Sequence, residues 1–149
     1  MGLKTVASTV TQSDDGDIEK GDDVNVRELV GGEVIWIDPS QTMRQAVKMM
    51  AEEEVGALAV EVRGRLSGII TERDVLRACA EECDLDATTV KERMTSYPDA
   101  FDPDMSVEEA ADWLLGAGYR HLPVVDGLKV IGMVSIKDIL WALTEPSAV

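Results

Sequence analysis

Two hydroxyl–carboxylate pairs carry the clearest chemical potential in this chain: Thr71 with Asp74 and Ser135 with Asp138, three residues apart in each case. A glycine, Gly68 or Gly132, stands three residues before each pair. Where such a pair opens a helix, two readings stand side by side. In the first it is a capping box, the hydroxyl and the carboxylate satisfying amides that the first helical turn leaves unpaired. In the second, the same helix end holds a ligand. Its amides and partial positive charge suit a phosphate, the hydroxyl donates to a phosphate oxygen, and the carboxylate accepts from the two hydroxyls of a ribose. The upstream glycines are expected to leave room for a ligand to approach the backbone. Spacing alone supports both readings.

Other chemistries find few residues. His121 is the single histidine, so two-histidine metal sites are excluded. Cys79 and Cys83 sit one helical turn apart with no second cysteine or histidine cluster to complete a zinc site, and are read as helix-packing residues. No Ser-His-Asp order, P-loop or dinucleotide glycine fingerprint is present, so a non-enzyme is expected. The charge balance narrows the partners further. Acids outnumber bases 29 to 14, a net charge of −15, which disfavours a nucleic-acid backbone and an anionic membrane surface. No apolar run approaches the roughly 20 residues of a membrane span, and the start lacks a signal-peptide pattern, so a cytoplasmic protein is expected.

Positioning these pairs requires regular elements, and the elements repeat. Displaced by 64 positions, the chain matches itself without a gap at nine identities between residues 38 and 78, among them Leu58 on Leu122, Gly68 on Gly132, Asp74 on Asp138 and Leu76 on Leu140. Two copies are too few for a solenoid, and point instead to pseudo-twofold halves sharing a core. Helix-start signals recur in the same register at Asn25/Thr89, Thr42/Ser106 and Thr71/Ser135. Runs rich in β-branched residues (34–37, 58–62 and 66–70, then 122–125 and 130–134) predict strands, with hairpin turns at Arg63-Gly64 and Asp126-Gly127. Each half reads as a short leading helix, then strand, helix, strand, hairpin, strand and helix. Residues 1–24 form an acidic leader, 25–88 the first copy with its linker, and 89–149 the second. Met43, Met49 and Met50 give one helix a broad soft stripe suited to a partner helix, and Trp141 near the chain end serves either a dimer face or the core.

The strings from Gly68 to Asp74 (GIITERD) and from Gly132 to Asp138 (GMVSIKD) resemble the signature that closes each motif of a CBS-domain pair. The stretch from Arg120 to Gly127 (RHLPVVDG) is similar to the family's central strand and hairpin, and Val26–Val30 and Val90–Met94 resemble its leads. The resemblance implies an α+β fold of tandem β-α-β-β-α motifs related by pseudo-twofold symmetry, a homodimer, and a regulatory module that signals to an effector protein. It also implies sites for an adenosine-containing small molecule (AMP, ADP, ATP or S-adenosylmethionine) completed crosswise between copies. Carried onto this chain, the primary site joins Thr71, Arg73 and Asp74 to Tyr119, Arg120, His121 and Pro123, with Tyr119 and Pro123 walling the adenine. The second joins Ser135, Lys137 and Asp138 to Val55, Gly56, Ala57 and Ala59. Guanidinium groups favour phosphate at the first, whereas the second has only Lys137 for positive charge. The alternative is a homodimeric interaction scaffold with vestigial pockets.

Overall fold

A computed structural model describes residues 5–6 and 24–145. Most of the acidic leader, including Asp14, Asp15, Asp17, Asp22 and Asp23, lies outside the described residues. In chain order the first elements are β1 (Thr5–Val6), a 3-10 turn (Val26–Leu29), β2 (Trp36–Ile37), α1 (Met43–Glu52), β3 (Ala57–Val62), β4 (Arg65–Thr71) and α2 (Glu72–Ala80). They are followed by α3 (Val90–Arg93), β5 (Thr95–Ser96), β6 (Ala100–Phe101), α4 (Val107–Ala117), β7 (His121–Asp126), β8 (Lys129–Ser135) and α5 (Ile136–Thr144). Two mixed four-stranded sheets result, ordered β2-β3-β4-β5 and β1-β6-β7-β8. This is the expected α+β repeat.

The 64-residue repeat is kept down to the bonds. β3 pairs antiparallel with β4 and β7 with β8, and each ladder slips at the same repeat position, Val60/Glu61 and Val124/Val125. The hairpin turns differ. Arg63 and Gly64 both take positive φ (52° and 74°), whereas in the second hairpin Gly127 takes it (φ 63°). There Asp126 pairs with Lys129, so the turn is Gly127-Leu128, one residue later than the sequence reading placed it. A glycine at the first central position suits a primed turn, so the hairpin is still tight. Helix starts follow the capping rule: Gln45 N donates to Thr42 Oγ1 at 3.2 Å while Thr42 N donates to Gln45 Oε1 at 2.8 Å.

The leads exchange partners. Val26 N donates to Met105 O, and its repeat mate Val90 N donates to Gln41 O, both at 2.8 Å. Val107 N donates to Val24 O, and its mate Met43 N donates to Thr88 O. Val26 is therefore buried among Phe101, Val107 and Leu122 of the second half, and Val90 among Ile37, Met43 and Leu58 of the first. Most of the buried apolar residues form these two clusters, one per half, and not the single shared core expected from symmetry; Ala57, Ala59, Ile69, Ala100 and Val125 are buried outside both. The swap of leads ties the two halves together. Met43 and Met50 point into the first cluster with Met49 packed against it, so the methionine stripe is core and not a partner face.

The exchange also explains the paired glycines. After each lead the chain crosses a strand of the other half. A Cβ on Gly68 would lie 2.6 Å from Met94 Sδ and 2.8 Å from Thr95 O, and one on Gly132 only 2.3 Å from Val30 Cγ1. The backbone at these points is approached by protein, which corrects the expectation at Gly68 that the glycine leaves room for a ligand; Gly132, although crossed by Val30, also borders a cleft.

Candidate functional site

Each α-helix that follows a hairpin begins at one of the hydroxyl–carboxylate pairs. Thr71 N and Oγ1 both donate to Asp74 Oδ2, at 2.8 and 3.0 Å. Ser135 N and Oγ do the same to Asp138 Oδ2, both at 2.8 Å. The carboxylate half of the capping reading is thus realised at both helix starts, and the hydroxyl half at α5, where Asp138 N donates to Ser135 Oγ at 3.2 Å. It occupies one carboxylate oxygen and leaves the other: Asp74 Oδ1 lies 4.0 Å from Arg77 Nη1, and the Asp74 side chain keeps 12% of its surface accessible.

A cleft of about 240 Å³ opens over the start of α2. It brings together Thr71, Arg73 and Asp74 from one half and Tyr119, Arg120 and His121 from the other. Arg73 Nη1 bridges the halves by donating to Gly118 O, the left-handed cap of α4, at 3.2 Å. Tyr119 is stacked on Trp113 (centroids 5.8 Å apart, planes at 18°), which fixes one ring face while the residue stays 46% exposed. Pro123 is not in this group. It is a buried residue inside β7, paired with Met133, and lies outside the cleft lining: it shares a strand face with His121 but sits two residues, about 7 Å, further into the sheet.

A second cleft of about 620 Å³ covers the start of α5. Ser135, Lys137 and Asp138 meet Val55, Gly56 and Ala57 there, while Ala59 is fully buried away from it. Repeat geometry accounts for the greater room: Val55, Gly56 and Ala57 occupy the positions that Tyr119, Arg120 and His121 hold in the first. Arg120 and His121 line both clefts, as does Glu72. The dividing wall is tight, since a Cβ on Gly56 would come within 3.0 Å of the His121 ring and 3.2 Å of Glu72 Cδ. Lys137 is therefore not the only basic residue at the second cleft. Burial holds His121 below the ordinary imidazole range, opposed by the charges of Glu72 and Asp138 and aided by Arg120.

Several lining residues escaped the sequence reading. Arg77 lies one turn beyond Arg73 on α2, and that i, i+4 spacing was signal enough to find it. Thr95, Pro98 and Asp99 border the first cleft, and the repeat-equivalent stretch from Gly31 to Ile35 borders the second. Cys83 is not on α2, which ends at Ala80; Glu82 takes positive φ (57°) and turns the chain, leaving Cys83 beside the Arg93 guanidinium and against the first cluster. Among the described residues no three histidine, cysteine or acidic side chains are grouped to hold a metal ion, and no helix is long and apolar enough to cross a membrane.

Two compact motifs with exchanged leads and clefts at the starts of α2 and α5 define a tandem-motif module. The chain belongs to the CBS-domain family, whose model matches residues 26–81 and 90–145. A CBS domain-containing protein of Bacillus subtilis is 33% identical over 116 residues, covering 77% of this chain and 82% of its own length. Among solved structures, a protein with CBS domains from Burkholderia ambifaria is 31% identical with a TM-score of 0.79, covering 85% of this chain and 98% of that one. A CBS domain protein from Pyrobaculum aerophilum, solved in complex with AMP, is 27% identical with a TM-score of 0.73, covering 80% and 98%.

Proposed function

We propose that this protein is a regulatory module that binds an adenosine-containing small molecule, an adenine nucleotide in the first cleft, and passes its occupancy to an effector protein as a homodimer. The observation that carries the reading is the crosswise first cleft. A capped hydroxyl–carboxylate pair on α2 faces Arg120 and His121 from the opposite half, with Arg73 and Arg77 on the same helix. The second oxygen of Asp74, held only by a long ion pair to Arg77, suits a ribose diol, and three guanidinium groups in one cleft suit phosphate oxygens. Binding between two halves gives the ligand a grip on their relative arrangement, which is what a sensor needs. The AMP bound by the Pyrobaculum aerophilum relative supports the same ligand class.

Titration calorimetry of the pure protein with AMP, ADP, ATP and S-adenosylmethionine tests this reading. Saturable heats for at least one phosphorylated ligand are expected. Flat traces for the whole panel at millimolar ligand would leave the scaffold with vestigial pockets as the better description.

A further inference from the structure

We propose that the two clefts take chemically different ligands: the second takes an adenosyl compound without a phosphate chain, neutral or cationic, while the first takes the phosphorylated one. The proposal rests on the adenosyl-site reading above and adds to it the class of ligand for the second cleft.

The repeat makes the comparison position by position. Counting side chains that belong to one cleft alone, the first has two guanidiniums and two carboxylates, whereas the second has one ammonium and three carboxylates. Where Arg77 lines the first cleft, its repeat mate Trp141 stands outside the second. Where the first has the Gly118 carbonyl, tied down by Arg73, the second has Glu54. Glu33 adds a further acid from the bordering segment, and Glu72 faces both clefts. Arg120 is common to both, so a phosphate that claims it in the first cleft removes the second cleft's guanidinium from use. A phosphate chain at α5 would thus sit among carboxylates within about one Debye length, ~8 Å at physiological salt, where repulsion is not screened away. A neutral or positive 5′ group meets no such opposition, and the larger volume admits it. Asp138 keeps the ribose-reading geometry in both cases.

Calorimetry on the full chain reads the clefts separately. Asp74→Ala reports the second and Asp138→Ala the first. The Asp74→Ala protein is expected to bind adenosine at least about tenfold tighter than ATP at 0.1 M salt, with the gap narrowing at 1 M; Asp138→Ala is expected to show the opposite preference. Adding Glu33→Gln and Glu54→Gln to Asp74→Ala should close the gap. Equal or tighter ATP binding by Asp74→Ala overturns the proposal, as does a gap that survives removal of the two glutamates. A measurement on the unsubstituted protein does not depend on the variants folding: with ATP saturating, adenosine should still titrate to about one per chain, and no uptake overturns the proposal. Failure of the underlying reading looks different, since then neither AMP, ATP nor adenosine binds at all.

Discussion

At the residue scale, the capping by Asp74 and Asp138 can be separated from their proposed ribose contact. As caps they satisfy a backbone amide, so Asp74→Ala should cost about 1 kcal/mol and lower Tm by a few degrees. As a ribose acceptor Asp74 would contribute two charge-assisted hydrogen bonds, together about 3–6 kcal/mol at most. Asp74→Ala should therefore weaken AMP binding by roughly a hundredfold or more, far beyond its effect on Tm, whereas Asp138→Ala should retain most of it. Loss of AMP binding in Asp138→Ala with retention in Asp74→Ala would reverse the ranking of the clefts. His121 gives a pH prediction. Its value in the folded chain is depressed, chiefly by burial, with Glu72, Asp138 and Arg120 as the charges around it. The unfolded chain then takes up the proton first, so this contribution is complete above about pH 6.5 and is lost as pH falls below it. Thermal melts at pH 7.5 and 5.5 should differ less for His121→Gln than for the parent protein; an equal difference removes His121 as the cause. Of these site residues, Thr71, Asp74, Ser135 and Asp138 were legible because their spacing is local to one helix turn, while Arg73 and Lys137 came only with the family resemblance. Asp99 and the segment from Gly31 to Ile35 were not, because they reach the clefts only through tertiary crossing of the leads, which leaves no periodic trace.

At the scale of elements, the helices and hairpins follow from capping pairs and β-branched runs, which is why their positions were readable. The exchange of leads was not readable, although its imprint, a glycine at the same place in both copies, was in plain view. The steric geometry makes a sharp test. On Gly68 the intruding atoms include a backbone oxygen, Thr95 O at 2.8 Å, which side-chain trimming cannot remove. On Gly132 the two contacts under 3 Å both come from the side chain of Val30, its Cγ1 at 2.3 Å and Cβ at 2.5 Å. Gly68→Ala and Gly132→Ala should each destabilise by about 1–3 kcal/mol as overpacking does. Val30→Gly should then restore much of the loss in Gly132→Ala, while Met94→Ala should fail to restore Gly68→Ala. Denaturant unfolding of the double-mutant cycles checks this, and the absence of coupling between Val30 and Gly132 would contradict the crossing. β5 was also missed: two residues, Thr95 and Ser96, are too short for any alternation to register, and they pair with β4 only because α3 delivers them to its edge.

At the scale of the molecule, what needs explaining is an apolar face that neither core uses. Leu76 on α2 and Leu140 on α5 are one of the nine identities in the repeat, yet they are 67% and 60% exposed. Packing within a half does not account for the same large apolar residue kept at an exposed position in both copies. The proposed homodimer would account for it, with both halves meeting one partner. Trp141 and Leu143 on α5 and Leu115 on α4 are exposed as well, at 60%, 45% and 73%. A second copy of the chain is the economical partner, because a twofold axis would let each pseudo-symmetric half meet its counterpart. Light scattering should therefore give about twice the 16.2 kDa chain mass at micromolar concentration, and Leu140→Glu should shift the protein to monomer without unfolding it. Net charge sharpens the expectation. Two chains of −15 repel, so an apolar interface between them should tighten as salt screens the repulsion, whereas an interface built on ion pairs should loosen. Sedimentation across 0.01–1 M salt (~30 to ~3 Å Debye length) distinguishes the two. A dimer that dissociates at the high end, or a monomer throughout, would mean that Leu76 and Leu140 serve some partner other than a second copy.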